Sequence, residues 1–314
     1  MPFFYLLIMN KRNKFLSEFA NKKVFKLVLL VLIVSCSRSF DKEENLIQGE
    51  SFLRINKLDS AQLLFEKSFK SDSTNIIVLN HLGNIHFRKV EIRKSLYYLN
   101  RSLALNNLQV DIHLKIAEIK LLLGKYNEVF MSINKGLLID DKKPNGYFMK
   151  GVAYKHIGDS VKAISSFKTA IEIDHNYYPV YYELGLLLTL KKDSLALSYY
   201  KNGVALNPND PELKGCLAWC YDQFKKCEMA DKTYREIVRD FPEFLRAKSN
   251  YAFFKNKLGD LDTALILCNE ILQQTSTNIQ LLNLKGLILQ EQGKSEEAKD
   301  VWEELKKLES KKEI

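Results

Sequence analysis

The sequence predicts an all-α protein, a solenoid of about eight tandem helix-turn-helix repeats. Its 314 residues are 46% hydrophobic, which is enough apolar material for an ordered structure. They include only 13 glycines and 6 prolines, too few to separate the many strands of a β-rich fold. Small residues recur every 33 or 34 positions along most of the chain, a period typical of stacked helical hairpins.

The recurring small residues form two series, one for each helix of a hairpin. The first series has a glycine or an alanine in every repeat: Gly49, Gly83, Ala117, Gly151, Gly185, Ala218, Ala252 and Gly286. The second series follows twelve residues later in most repeats: Ala61, Ser95, Val129, Ala163, Ala196, Ala230, Ala264 and Ala298. Because small side chains let two helix backbones approach closely, we expect both series to mark helix crossings.

Each repeat is expected to contain a first helix, a tight turn and a second helix. Glycines suited to the left-handed conformation at a helix end close four of the first helices: Gly124, Gly158, Gly259 and Gly293. Asp159 and Asp260 follow as predicted helix starts. The fifth repeat is one residue short, and the loss falls between Leu190 and Ala196. The predicted repeats are residues 42–75, 76–109, 110–143, 144–177, 178–210, 211–244, 245–278 and 279–312.

The period and the residue pattern resemble the tetratricopeptide repeat. The match is closest in the fourth repeat, through Gly151, Tyr154, Gly158, Asp159, Ala163, Phe167 and Ala170. Trp302 fills the position of Phe167 in the last repeat, whereas Ser95 and Val129 stand where the family prefers alanine. The resemblance covers residues 42–312 and implies a right-handed superhelix that binds a protein or peptide along its concave groove.

The beginning of the chain resembles a signal peptide, residues 1–35. Six of its residues are basic and one is acidic, so much of the formal net charge of +9 lies outside the repeats. The repeats therefore lack the basic stripe expected of a nucleic-acid-binding protein. The apolar run at residues 27–34 is too short to span a bilayer, which takes about 20 residues, but is a normal length for a signal peptide.

Residues 33–36, Ile-Val-Ser-Cys, resemble the lipobox of bacterial lipoproteins. The resemblance implies cleavage before Cys36, attachment of lipid to that residue and a short tether at residues 36–41. The protein would then lie on a membrane of the bacterial cell envelope, on its periplasmic or outer side. Two alternatives stay open: Cys36 ends an uncleaved membrane anchor, or translation starts at Met9 rather than Met1.

The sequence offers little evidence of catalysis. Four cysteines lie in the repeats: Cys216, Cys220, Cys227 and Cys268. We interpret them as small buried residues, with a thiol metal site or a disulfide between Cys220 and Cys227 as alternatives. The five histidines form no metal-binding motif, and the repeats leave no span for a catalytic domain. We therefore expect no enzyme activity, no cofactor and no small-molecule substrate.

The resemblance also implies which residues line the groove, namely positions five, six, nine, twelve and thirteen of each repeat. The selected residues are Asn80, His81, Asn84, Arg88, Phe148, Lys155, Tyr182, Trp219, Asn250, Phe253 and Lys257. Asparagines four residues apart can hold a ligand's backbone amides, and aromatic residues can supply anchors. Leu46 and Glu50 replace residues of the family's carboxylate clamp, which argues against chaperone C-termini as ligands.

Two functions follow as hypotheses. The first is a lipid-anchored, non-catalytic scaffold or adaptor that binds a peptide or partner protein in the groove. The alternative is a structural subunit of a cell-envelope complex, assembled through its edges or its convex face. Variants of the groove residues discriminate between them, because an assembly subunit would tolerate those changes.

Overall fold

The computed structural model describes residues 43–310, and all the regular elements in that range are α-helices. We call the odd-numbered helices first helices and the even-numbered helices second helices. In order they are residues 43–54 (α1), Leu58–Ser71 (α2), Ile76–Arg88 (α3), Ile92–Leu105 (α4), Val110–Leu122 (α5), Tyr126–Ile139 (α6), Pro144–His156 (α7), Ser160–Ile173 (α8), Pro179–Leu190 (α9), Leu195–Leu206 (α10), Pro211–Gln223 (α11), Cys227–Asp240 (α12), Leu245–Lys257 (α13), Leu261–Gln274 (α14), Ile279–Glu291 (α15) and Ser295–Ser310 (α16).

The helices belong to two compact units. Unit 1 ends at Asp140 and contains α1 to α6, and unit 2 begins at Asp141 and contains α7 to α16. Within each unit, a first helix pairs with the second helix that follows it, and this second helix packs on the next first helix. In unit 2, successive first helices from α9 to α15 also contact one another. The predicted all-α fold of tandem helix hairpins is confirmed in both units.

The first series of small residues lies where the helices of a hairpin cross, as predicted. A methyl group on Gly151 would come within 2.4 Å of the Phe167 ring, and one on Gly286 within 2.7 Å of the Trp302 ring. Gly185 has the same relationship to Tyr200, at 2.8 Å. The large side chain sixteen or fifteen residues later therefore occupies the space that the absent methyl group leaves free.

The turn inside each described hairpin uses a left-handed residue. These residues are Asn56, Val90, Gly124, Gly158, Lys192, Lys225, Gly259 and Gly293. In each turn the next amide N–H bonds a carbonyl five residues back, as from Asp159 to Tyr154 at 2.9 Å, which is the Schellman arrangement of helix ends. The four predicted glycines are confirmed in this role. The other four turns use residues with a side chain, which the glycine pattern did not identify.

The predicted second-helix starts are also confirmed. The Asp159 carboxylate accepts a hydrogen bond from the Lys162 amide at 3.0 Å, and Asp260 accepts one from Thr263 at 3.3 Å. In the fifth repeat, only three residues separate the left-handed Lys192 from Ala196, against four between Gly158 and Ala163. The missing residue is thus lost between Leu190 and Ala196, as expected.

The predictions for the beginning of the chain lie outside the described residues. They concern the signal peptide at residues 1–35, the tether at 36–41 and lipid attachment at Cys36. Within residues 43–310, no helix is both long enough and apolar enough to cross a bilayer.

Candidate functional site

Three of the predicted groove residues in unit 2 surround one pocket. Tyr182 lies on α9, Trp219 on α11 and Asn250 on α13, and these three first helices pack side by side. The pocket has a volume of about 250 Å³ and is also lined by Leu186, Cys216, Phe244 and Ala247. The structure therefore brings together side chains that are 68 residues apart in the sequence, from Tyr182 to Asn250.

Gly215 lines the pocket without a side chain to fill it. It is buried in the middle of α11, yet a methyl group built on it would have no other atom within 4 Å. Gly136 and Gly203 also lie inside helices, but methyl groups there would come within 3.3 Å of Leu114 and 2.9 Å of Tyr181. Packing thus explains those two glycines, whereas Gly215 faces open space in the pocket.

An ion pair lies at the edge of the pocket. Glu212 on α11 and Arg246 on α13 both line the pocket and bond each other through Oε1 and Nη1. Their side chains are 36% and 66% exposed, so the pair contacts solvent. Because opposite charges lie together, the mouth of the pocket carries no strong net field.

The two predicted groove lysines of unit 2 already have partners in the chain. Lys155 Nζ lies 2.7 Å from Glu183 Oε2, joining α7 to α9. Lys257 Nζ lies 2.7 Å from Asp222 Oδ1, joining α13 to α11. Both lysines therefore connect adjacent first helices, and a ligand could use them only in competition with these carboxylates.

The other two aromatic candidates of unit 2 differ from each other. Phe148 is half-buried and packs against Phe167 and Tyr177, with ring centroids 5.9 and 5.7 Å away. Phe253 is 42% exposed on α13, the helix that also carries Asn250. Phe148 thus belongs mainly to the packing of its own hairpin, whereas Phe253 offers exposed apolar surface on α13.

In unit 1, three of the four predicted polar residues are engaged within the chain. Asn80 Nδ2 donates to Gln109 Oε1 at 2.8 Å, and Arg88 donates to Asn56 Oδ1. His81 stacks on Phe65 with a centroid distance of 4.5 Å, and its Nε2 lies 3.3 Å from Glu50 Oε1. Asn84 is half-buried and has no hydrogen-bond partner among residues 43–310. Of the two asparagines of the proposed clamp, the Asn80 side chain is thus already hydrogen-bonded within the chain, and the Asn84 side chain can bond a ligand.

The four cysteines of the described chain are free thiols. Cys220 and Cys268 are buried, Cys216 and Cys227 are half-buried, and no disulfide joins Cys220 to Cys227. Burial raises the pKa of Cys216 to about 12 and that of Cys268 to about 11. Cys216 and Cys268 are therefore protonated at neutral pH and lack the thiolate that attacks substrates or binds metals. Within residues 43–310, no group of three or more His, Cys, Asp or Glu residues is arranged to hold a metal ion.

Several pocket residues were not among the predicted groove residues, including Glu212, Gly215, Cys216 and Arg246. Gly215 and Cys216 hold positions five and six of their repeat, so the family's pattern did cover them, although they were not selected. Glu212 and Arg246 lie at position two of their repeats, outside the positions taken from the family. Gly215 did leave a signal, because it is a glycine inside a helix and belongs to neither series of small residues. Glycine destabilises a helix interior by roughly 0.5–1 kcal/mol relative to alanine, so such a position calls for an explanation.

Comparisons with known proteins agree with this fold. Residues 144–177 and 217–243 match family models of the tetratricopeptide repeat. A curated relative, DnaJ homolog subfamily C member 7 of Mus musculus, is 21% identical over 214 residues, which are 66% of this chain and 38% of the mouse protein. This chain therefore spans well under half the length of that relative.

Solved structures with the same fold include a tetratricopeptide repeat protein from Parabacteroides merdae. It has 15% identity and a TM-score of 0.60, and the alignment covers 79% of this chain and 99% of that one. PilF of Pseudomonas aeruginosa has 13% identity and a TM-score of 0.59, with coverage of 69% and 99%. The predicted tetratricopeptide-type helical solenoid is thereby confirmed.

Proposed function

We propose that this protein is a non-catalytic interaction scaffold that captures a polypeptide segment on the first helices of unit 2. The observation that carries the proposal is the pocket between Tyr182 and Trp219, kept open by Gly215. A glycine there weakens α11 without any contact that requires it. Residues that disfavour their own secondary structure are typically found at functional sites, so we attribute the open space at Gly215 to ligand binding.

The size of the pocket favours a side chain as its occupant. Pockets for small molecules usually measure about 300–1,000 Å³, and this one measures about 250 Å³. Aromatic residues such as Tyr182 and Trp219 dominate binding energy where proteins meet. The protonated thiol of Cys216 adds a neutral wall rather than a nucleophile, which agrees with a binding role.

The proposal is tested by photocrosslinking in living cells. A benzoylphenylalanine placed at Asn250 should capture a protein partner, whereas the same group at Lys168, exposed on the second helix α8, should not. Trp219→Ala and Gly215→Leu should each remove the captured partner from the Asn250 position. Charge reversal at Lys168 and Glu172 serves as the matched control. Loss of the partner in these controls, with retention in the pocket variants, would favour the assembly-subunit function instead.

The same proposal includes attachment to a membrane of the bacterial envelope through lipid on Cys36. The basic and apolar residues that precede Ile33-Val34-Ser35-Cys36 support it. Acyl chains contribute about 0.8 kcal/mol per buried methylene, so several chains hold a protein on a membrane without a spanning helix. Cys36→Ala should abolish labelling by radioactive palmitate, whereas Cys227→Ala should not. Unchanged labelling of Cys36→Ala would refute lipid attachment at this residue.

A further inference from the structure

The charged residues at the groove positions of the pocket's three helices are paired inside the chain. The groove positions of α9, α11 and α13 carry three charged residues, Glu183, Asp222 and Lys257, and each is paired with a residue on an adjacent first helix. The Glu183 and Asp222 side chains are only 15% and 12% exposed. Covered and paired charges attract an incoming charge weakly, because the partner already offsets their field.

Two charged residues line the pocket itself, Glu212 and Arg246, and they are paired with each other at its edge. The other groups that line it are aromatic, aliphatic or neutral. Tyr182, Trp219 and Phe244 supply rings, and Leu186 supplies an aliphatic wall. Burial raises the pKa of both the Tyr182 hydroxyl and the Cys216 thiol, so neither carries a charge at neutral pH. Two aromatic rings that pack edge to face or offset-stacked attract each other, and this attraction adds to the free energy gained by burying their apolar area.

We infer that the pocket accepts an aromatic side chain from an uncharged segment of the partner, and that Gly215 determines this specificity by setting the depth. The inference rests on the proposed function, since it names the ligand class of the same site. A side chain at position 215 would point into the space that the ring occupies. Asn250, exposed beside the pocket, can bond the backbone amides that flank the ring without reading their side chains.

The chain offers a convenient spectroscopic test because it has two tryptophans. Trp219 lines the pocket. Trp302 lies on α16 and packs over Gly286 of α15. The full chain is labelled with fluorotryptophan, and fluorine NMR is recorded while four probes are added: the N-acetyl amides of phenylalanine, leucine, lysine and aspartate. The phenylalanine probe should shift the Trp219 signal and leave Trp302 unchanged.

The expected affinity is weak in absolute terms but selective. The phenylalanine probe should bind about tenfold more tightly than the lysine and aspartate probes, a difference of about 1.4 kcal/mol. Its affinity should change less than about twofold between about 0.05 and about 0.5 M salt, since exposed charge interactions are screened over that range. Gly215→Leu should abolish the Trp219 shift. Gly215→Ala favours the helix, so this variant should retain the fold but bind the phenylalanine probe more weakly. Lys168→Glu should leave both signals and the binding as they are.

Each opposite result overturns the inference. These results are a lysine or aspartate probe that shifts Trp219 as strongly as the phenylalanine probe, a tenfold loss of affinity in salt, no response to phenylalanine, or unchanged binding in Gly215→Ala. None of them affects the proposed function, which depends on loss of the crosslinked protein in Trp219→Ala and Gly215→Leu. Conversely, a partner still captured by those variants refutes the proposed function even if the phenylalanine probe binds.

Discussion

Gly151 lies directly beneath the ring of Phe167, so close that a methyl group on the glycine would be 2.4 Å from Cε1. Phe167 is fully buried and cannot move away without disturbing its neighbours. We expect Gly151→Ala to lower the free energy of unfolding by about 1–3 kcal/mol, because overpacking forces side chains and backbone apart. Urea unfolding followed by circular dichroism measures the change.

The matched control is Gly215→Ala, the same substitution in another first helix. A methyl group there meets open space, so the gain in helix propensity is not offset by a clash. The free energy of unfolding should rise by up to about 1 kcal/mol. Equal destabilisation by both substitutions would show that Gly215 is required for packing rather than for the pocket.

Val90 is a strained residue at the surface. Its φ angle is 61°, which costs a β-branched residue about 1–2 kcal/mol, and its side chain is 78% exposed, so it recovers little by burial. Val90→Gly removes the strain but adds roughly 0.5–1 kcal/mol of backbone entropy cost, so a net stabilisation of about 0.5–1 kcal/mol is expected. The reverse change at the equivalent turn, Gly124→Val, should destabilise the protein. Both are measured by urea unfolding, and a loss of stability in Val90→Gly would contradict the strain.

Tyr200 carries a buried hydroxyl without a partner. Its ring is fully buried beside Gly185, and within residues 43–310 its hydroxyl makes no well-formed hydrogen bond, because the nearby Thr189 hydroxyl donates to the Gly185 carbonyl at 2.8 Å instead. Burial raises the pKa of this hydroxyl, so it remains protonated. Tyr200→Phe should raise the free energy of unfolding by about 1 kcal/mol, since an unsatisfied buried polar group costs about 1–3 kcal/mol.

Tyr181 provides the contrast, because its hydroxyl donates to the His175 carbonyl at 2.7 Å. Tyr181→Phe leaves that carbonyl without its partner and should lower the stability by about 1 kcal/mol. Thermal unfolding of the two variants side by side tests the pair. Destabilisation by Tyr200→Phe would indicate that its hydroxyl is bonded in solution.

Asp231 makes stability depend on pH. Burial alone would raise its pKa, but hydrogen bonds from Lys255 and Tyr251 outweigh that effect and hold the pKa below its usual range. A depressed carboxylate pKa stabilises the fold above the unfolded pKa of about 4, and the contribution is lost as the pH falls through the folded value. Asp231→Asn should therefore lower the free energy of unfolding by about 2 kcal/mol at neutral pH, and by progressively less below about pH 4.

The difference in unfolding free energy between the parent and Asp231→Asn, measured from about pH 6 to about pH 2, isolates this carboxylate from the others. Asp240→Asn is the control, because Asp240 is an exposed residue paired only with its neighbour Arg239. It should change the stability little at any pH. A constant difference for Asp231→Asn across the pH range would contradict the assignment.

The repeated contacts of the fold could be predicted from the sequence, because each depends on residues at a fixed separation. Gly151 and Phe167 belong to one hairpin, so their contact follows from helix geometry and a small residue. The left-handed turns were only half predicted. Val90 and Lys192 occupy the same position of the repeat as the four glycines. The 34-residue period would therefore have identified them as left-handed residues, although their residue types did not.

The site was less predictable, because it depends on contacts between hairpins. Lys155 and Lys257 pair with carboxylates 28 and 35 residues away on adjacent first helices, and no local pattern specifies which side chains meet there. Position within the repeat selected Tyr182, Trp219 and Asn250 as groove residues, but it did not indicate that they would share one pocket. It could not identify Arg246, whose place at the pocket depends on how α13 packs against α11.

The pairing of each small residue with the ring or large side chain across from it has a consequence for how such a chain can change over generations. Gly185 and Tyr200, or Gly286 and Trp302, always lie in the same hairpin. A duplication or deletion with breakpoints between hairpins transmits every matched pair intact. A breakpoint within a hairpin would instead combine residues that do not fit each other, such as Ala252, whose own partner position holds the smaller Cys268, with a large ring like that of Trp302 from another copy. Gain and loss of copies should therefore proceed by whole hairpins.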